Sequence, residues 1–300
     1  MMKILFTLFV LLTFISCKVQ NNKKAFHEKT KILQITPEVF IQKLPGKLSE
    51  NSGLIFYNNL FWTFNDSGGK NKIYGFNISG KIKKEIEIKG AKNVDWEDIA
   101  QDEKYIYIGD FGNNSGQRKN QKIYKIKKKK ISKKEEQKLD ATEIKFDYQN
   151  QKSFNSRQHS TPFDCEALVE LNDNLYIFTK DWTDRTTSVY QIPSKKGEYK
   201  IKPIEKFNVT GLITGADISP NKKHLALVGY KNYKPILWLF SNFKDDNFFS
   251  GQKTYVEMDK IFDAQTEGIC FLGNDSLLIS CEQSGTFNHL VFLIDLETIK

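Results

Sequence analysis

What most constrains this chain is a two-run pattern that recurs five times. A short apolar run opens on an acidic or small residue, a polar turn follows, and a second apolar run closes on an acidic or aromatic residue. The copies are Ser52-Gly53-Leu54-Ile55 with Leu60 to Asp66, Glu97-Asp98-Ile99 with Tyr105 to Asp110, and Glu166-Ala167-Leu168 with Leu175 to Asp181. Ala216-Asp217-Ile218 with Leu225 to Tyr230 and Glu267-Gly268-Ile269 with Leu277 to Glu282 complete the set. In every copy the last residue follows the first by 13 to 15 positions. Runs of this length, rich in β-branched and aromatic residues and separated by polar turns, read as β-hairpins. The best-formed copy is Val94 to Asn114, where a turn at Gln101 to Lys104 sets Glu97 and Asp110 on one sheet edge.

Each copy continues into a third strand-like run: Lys72 to Phe76, Lys122 to Ile126, Ser188 to Ile192, Ile236 to Phe240 and Leu290 to Ile294. Four add a fourth: Glu85 to Ile88, Glu143 to Tyr148, Ile204 to Val209 and Thr254 to Met258. Successive copies start 45, 69, 50 and 51 residues apart. Four strands per repeat at this spacing mark β-propeller blades. The fifth copy lacks its outer strand, and Lys31 to Lys43 offers one from the other end of the chain, closing the ring without an open edge. The expected fold is therefore all-β, a single propeller of five four-stranded blades over residues 31–300. A sixth blade, the alternative, would have to fit in the excess around Gln149 to Pro162, which is too short for four strands and reads as a long loop.

Residues 1–16 read as a signal peptide, with Lys3 before an apolar run from Ile4 to Ile15 that is too short to span a bilayer. Phe14-Ile15-Ser16-Cys17 resembles a bacterial lipobox, which makes Cys17 the expected lipidation site and residues 17–30 a flexible tether. The expected location is the bacterial cell envelope, anchored to a membrane through Cys17 and facing the periplasm or cell surface. The net charge of +9 does not make nucleic acid an expected partner, because its lysines are dispersed and the run Lys127 to Lys130 reads as an outer strand and loop. The other cysteines, Cys165, Cys270 and Cys281, are odd in number. A hairpin turning at Gly273 to Asp275 sets Cys281 opposite Glu267 and not Cys270, so all three read as buried thiols.

In a propeller the first strands line the channel, and the starts of first strands share a face with the ends of second strands. That face should gather Glu97, Glu166 and Glu267 with Asp66, Asp110, Asp181 and Glu282, seven carboxylates around one mouth, with Asp95, Asp98, Asp164 and Asp217 close by. Clustered carboxylates repel unless a cation shares them. An all-oxygen set with Asn65, Asn113 and Asn114 nearby suits Ca²⁺, or alternatively Mg²⁺, and the four scattered histidines make a zinc centre unexpected. Trp96, Trp182 and Tyr230, with Lys180, Arg118 and Arg185, form an expected platform for a polar small molecule or envelope partner. Trp62 and Trp238 fall inside strands and read as core.

No nucleophile elbow, phosphate-binding glycine loop or metalloprotease helix occurs. Paired carboxylates leave a metal-dependent hydrolase of phosphoesters or glycosides as the alternative to a binding protein.

Asn65-Asp66-Ser67-Gly68-Gly69, Asp95 to Ala100, Gly109 to Asn114, Thr214 to Pro220 and Thr266 to Ile269 resemble segments of the exported bacterial propellers called SdiA-regulated and esterase-like phytase groups. That resemblance implies a calcium-associated propeller with an acidic top face, whose Ca²⁺ holds phosphate in the phytase-like members. Those relatives are often six-bladed. The chain lacks the dense Lys/Arg set that phosphate binding beside the ions would require, with Lys180, Arg118 and Arg185 the obvious candidates.

Overall fold

Each repeat folds into its own sheet, and the five sheets stand in a ring in the computed structural model, which describes residues 30–66, 68–285 and 287–299. The chain enters through β1 (Thr30–Ile35) and β2 (Glu38–Ile41). Blade 1 holds β3 (Asn51–Tyr57), β4 (Leu60–Asn65), β5 (Lys72–Phe76) and β6 (Ile82–Lys89). Blade 2 runs β7 (Trp96–Gln101), β8 (Tyr105–Asp110) and β9 (Lys122–Lys127), then, after the excursion β10 (Glu136–Asp140), β11 (Thr142–Tyr148). Blade 3 holds β12 (Cys165–Leu171), β13 (Asn174–Thr179) and β14 (Thr187–Pro193), then, after β15 (Gly197–Ile201), β16 (Pro203–Phe207). Blade 4 is β17 (Leu212–Ile218), β18 (His224–Lys231), β19 (Lys234–Ser241) and β20 (Gln252–Met258); blade 5 is β21 (Thr266–Leu272), β22 (Ser276–Cys281) and β23 (Leu290–Asp295), completed by β2. Residues 149–164 carry no strand, so the ring has five blades and the long spacing between blades 2 and 3 is a loop. Among the described residues no helix is long and apolar enough to cross a membrane.

The ring closes somewhat differently from the expectation. Only β2 supplies the missing outer strand of blade 5, pairing antiparallel with β23. The preceding strand β1 lies parallel to β20 in blade 4 instead. Pro37 separates the two, since a proline cannot donate to a ladder and ends the first pairing. Leu33 and Ile35 then pack on the core between blades 4 and 5. The same device recurs twice: β10 lies parallel to β6, and β15 parallel to β11. Each of these strands directly precedes the outer strand of one blade and adds a fifth strand to the blade before it, so blades 1, 2 and 4 have five strands and blades 3 and 5 have four.

Packing follows from the burial pattern along each strand. Second strands such as β8 are buried at nearly every position, because both faces meet a neighbouring blade, whereas the outer β11 alternates buried and exposed residues. Five apolar clusters result, each between two adjacent blades, including one that joins Leu278 and Val291 of blade 5 to Leu54, Phe61 and Phe76 of blade 1. Trp62 and Trp238 lie fully within these clusters. Cys165, Cys270 and Cys281 are buried free thiols.

At the axis the first strands are laced together by side chains. Asp98 Oδ2 accepts from the Leu168 N–H at 2.8 Å and the Ala216 N–H at 3.2 Å, linking blades 2, 3 and 4. Asp217 Oδ2 accepts from Phe271 N–H at 2.7 Å, linking blades 4 and 5. Ser52 Oγ donates to the Glu97 carbonyl and Thr214 Oγ1 to the Thr266 carbonyl. Blade 1 approaches so closely that a Cβ at Gly53, where φ is +63°, would lie 2.8 Å from the Ile99 nitrogen.

Candidate functional site

All five inner hairpins carry a register shift near the mouth, after the first pair of the ladder in blades 2, 3 and 5 and after the second in blades 1 and 4. In blade 2, Trp96 faces Asp110 and Asp98 faces Gly109, so Glu97 is the unpaired residue of a β-bulge. Glu166 and Glu267 stand at the same position in blades 3 and 5. In blade 4 the bulged residue is Thr214, not the Ala216 that spacing alone aligns with the glutamates. A bulge re-aims the extra side chain, and here it turns three glutamates toward one opening.

The bulge also changes which residue of the second strand reaches the mouth. The residue after the last paired position is Asp66 in blade 1, Lys180 in blade 3 and Glu282 in blade 5; in blade 2 it is Phe111, which turns into the core, and in blade 4 the paired Tyr230 itself reaches the cleft. Side chains alternate along a strand, so an offset of one residue points to the other side. Asp110 lies one residue early. It is buried against Arg118, whose guanidinium also donates to the Gly112 and Asp110 carbonyls, and burial raises the Asp110 carboxyl despite that partner. Asp181 lies one residue late and accepts from Thr183, Asp184 and Thr186; these bonds outweigh its burial and hold it below the usual carboxylate range. Neither lines the opening.

The opening is a cleft of about 340 Å³, to which Asp66, Glu97, Glu166, Glu267, Lys180, Trp182 and Tyr230 all contribute. Seven of the thirteen residues expected in the carboxylate ring and the ligand platform thus meet in one place. Trp96 does not: it is fully buried between blades 1 and 2, edge-on to Phe64, with its indole N–H on the Lys92 carbonyl. Arg118 is held by Asp110 behind the mouth. Arg185 leans over Trp182 at 6.0 Å from the ring. Glu282 is buried close to Glu267 and Asp66, and burial pushes it up to about 9. Cys17 lies outside the described residues.

The cleft has two chemically distinct sides. On one, Lys180 Nζ sits 3.3 Å from Glu166 and over the rings of Trp182 and Tyr230, 5.0 and 5.5 Å from their centroids. Burial alone would pull that ammonium down, but the Glu166 and Glu267 carboxylates more than reverse this and keep it charged. Trp182 is fixed by its indole N–H on Asp164 at 2.7 Å, and the His159 ring stacks on it at 4.1 Å. His159 comes from the long loop between blades 2 and 3, whose excess residues therefore form a wall of the cleft.

On the other side carboxylate oxygens of Asp66, Asp95 and Glu97 lie within 4.8 Å of one another. Glu97 is 95 % buried, faces the cleft, and receives no hydrogen bond from any described residue. Burial, together with Glu166, Asp66 and Asp95, raises it well above its usual range, and burial pushes Asp95 up to about 7. Gly112 leaves the room for this cluster: a Cβ there would fall 2.0 Å from Glu97 Oε1 and 2.5 Å from Asp95 Oδ2. Asp95 and Gly112 belong to motifs visible in the sequence, but their approach depends on the bulge, which spacing does not reveal.

The fold and cleft define a five-bladed β-propeller with an acidic mouth. No known family profile matches the chain, and neither does any curated protein. Solved structures similar in shape include a Bacteroides uniformis protein provisionally assigned as a 6-phosphogluconolactonase. That likeness has a TM-score of 0.43 and 14 % identity, and it covers 86 % of this chain and 70 % of that one. Another is a provisionally described exported protein of Bacteroides fragilis, with a TM-score of 0.40, 14 % identity and coverage of 88 % and 99 %. Likeness this remote leaves both names with the proteins that carry them.

Proposed function

We propose that this protein is a lipid-anchored, extracytoplasmic β-propeller that holds one divalent cation, Ca²⁺ or alternatively Mg²⁺, between Asp66, Asp95 and Glu97, and uses it to bind a polar ligand at the mouth. The carrying observation is Glu97, a glutamate 95 % buried with no hydrogen-bond donor among the described residues, in a three-carboxylate cluster. Burying such a group without a partner is costly, and a hard cation with oxygen ligands is the partner that fits it. Lys180 supports this location over the centre of the glutamate ring, because its ammonium already serves Glu166 and Glu267.

No step of catalysis is required by this arrangement, so binding is favoured over hydrolysis. Export and anchoring rest on the apolar run from Ile4 to Ile15 and the lipobox-like ending at Cys17. A ligand that binds only the native state raises its melting temperature. CaCl₂ should therefore raise the melting temperature of the EDTA-treated protein, and Glu97→Gln should abolish the rise. An unchanged melting curve for the wild-type protein would remove the cation from the account. Cys17→Ser should release the protein from membranes, and continued membrane association would remove the anchor.

A further inference from the structure

We infer that the ligand of this mouth is a neutral carbohydrate, whose hydroxyl groups complete the coordination of the cation and donate to the surrounding carboxylates; the inference rests on the cation site proposed above. The argument is an inventory of donors and acceptors. Five carboxylates line the cleft, Asp66, Glu97, Glu166, Asp263 and Glu267, against the single ammonium of Lys180. Carboxylates that hold the cation or pair with the Lys180 ammonium are ionised and only accept hydrogen bonds, so a ligand that fits must bring donors.

Three ligand classes can be compared on that basis. A phosphate or carboxylate brings acceptors and negative charge into a site whose lining ammonium is paired with Glu166 and where Arg118 is paired with Asp110, so that Arg185 over Trp182 is the remaining nearby guanidinium against five acids. One divalent ion would leave the excess of acids in place, so anions are disfavoured even with the cation bound. An organic ammonium would suit acids beside aromatic rings, but that niche is filled from within: Lys180 itself lies over Trp182 and Tyr230. A sugar brings several hydroxyl donors without charge, and vicinal hydroxyls are oxygen ligands for a hard cation.

The rest of the lining suits such a molecule. Asn114, Gln265 and Ser284 offer both donors and acceptors, and the aromatic groups of Trp182, Tyr230 and Tyr233 present apolar surface for the C–H face of a pyranose. Tyr233 stands 69 % exposed at the tip of the β18–β19 turn, and Phe262, beside Asp263, is 60 % exposed. The aromatic surface thus extends outward from the cleft to where a longer glycan would leave it.

The test is calorimetric titration of the full mature protein in CaCl₂ and in EGTA with maltoheptaose, laminarihexaose, mannohexaose, myo-inositol hexakisphosphate and spermine. At least one neutral oligosaccharide should bind in CaCl₂ and not in EGTA. Trp182→Ala should weaken that binding at least tenfold and Trp182→Phe less, while both keep the calcium-induced rise in melting temperature. If that rise is present but no neutral oligosaccharide binds, or if the hexakisphosphate or spermine binds better, the carbohydrate inference is overturned and the cation site stands. If the rise is absent, the cation site fails and the inference with it.

Discussion

Gly112 shows how much of the mouth depends on single positions. The atoms that a Cβ would strike there are the ends of two flexible side chains and not backbone, so Gly112→Ala should fold normally but displace Glu97 and Asp95. The expected outcome is a melting temperature in EDTA close to wild type and a calcium affinity at least tenfold weaker, read by titration; unchanged affinity would place the ion elsewhere. Asp217 gives a residue-scale prediction independent of the ion. Burial pushes its carboxyl up to about 7, so the folded state holds a proton that the unfolded chain releases near its ordinary value of about 4. The stability this contributes is full below that lower value and is lost as pH rises toward 7. Asp217→Asn should make the fall in unfolding free energy between pH 4 and 7 shallower, measured by denaturant titration; an unchanged slope would contradict the assignment. At this scale the sequence is a partial guide. Glu97, Glu166, Glu267 and Asp66 are legible because each begins or ends a repeated run. Asp110 falls one residue before, and Asp181 one residue after, the position that follows the last pair of its hairpin, an offset hidden within the spacing of 13 to 15 that the eye counts as constant.

At the scale of elements, the parallel fifth strands explain how the blades are coupled. β10, β15 and β1 each belong in sequence to one blade and in space to the one before, so a blade cannot detach without breaking a ladder in its neighbour. β1 and β2 should therefore differ in consequence. Removing residues up to Ile35 takes away one partly exposed edge strand and the contacts of Leu33 and Ile35, and should leave a folded protein with a lower melting temperature. Removing residues up to Ile41 also removes the antiparallel partner of β23 and buried Ile41, opens the ring, and should abolish cooperative thermal unfolding. Equal behaviour of the two truncations would contradict this division. The outer strand of the last blade was legible as an apolar run at the opposite end of the chain. Its division into two strands was less so, because Pro37 interrupts a run whose two halves carry similar patterns.

The whole molecule separates its charges. A chain of net charge +9 spreads lysines over its outer strands and gathers acids at one end of the axis. Five first strands start at that end, and the shared bulge turns three of them inward as glutamates. The five-fold ring was legible because a repeat of constant spacing leaves few other architectures. The division of the mouth into a side that holds Lys180 and a side of clustered carboxylates was not, because it depends on which neighbour each acid meets after the blades close. The central claim is that the carboxylate side holds the ion, and a crystal structure after soaking in CaCl₂ tests it most directly. The account predicts one ion touching Asp66, Asp95 and Glu97 with calcium–oxygen distances of about 2.3 to 2.6 Å. An ion centred instead among Glu97, Glu166 and Glu267, or a soaked crystal with no ion at the mouth, would contradict it.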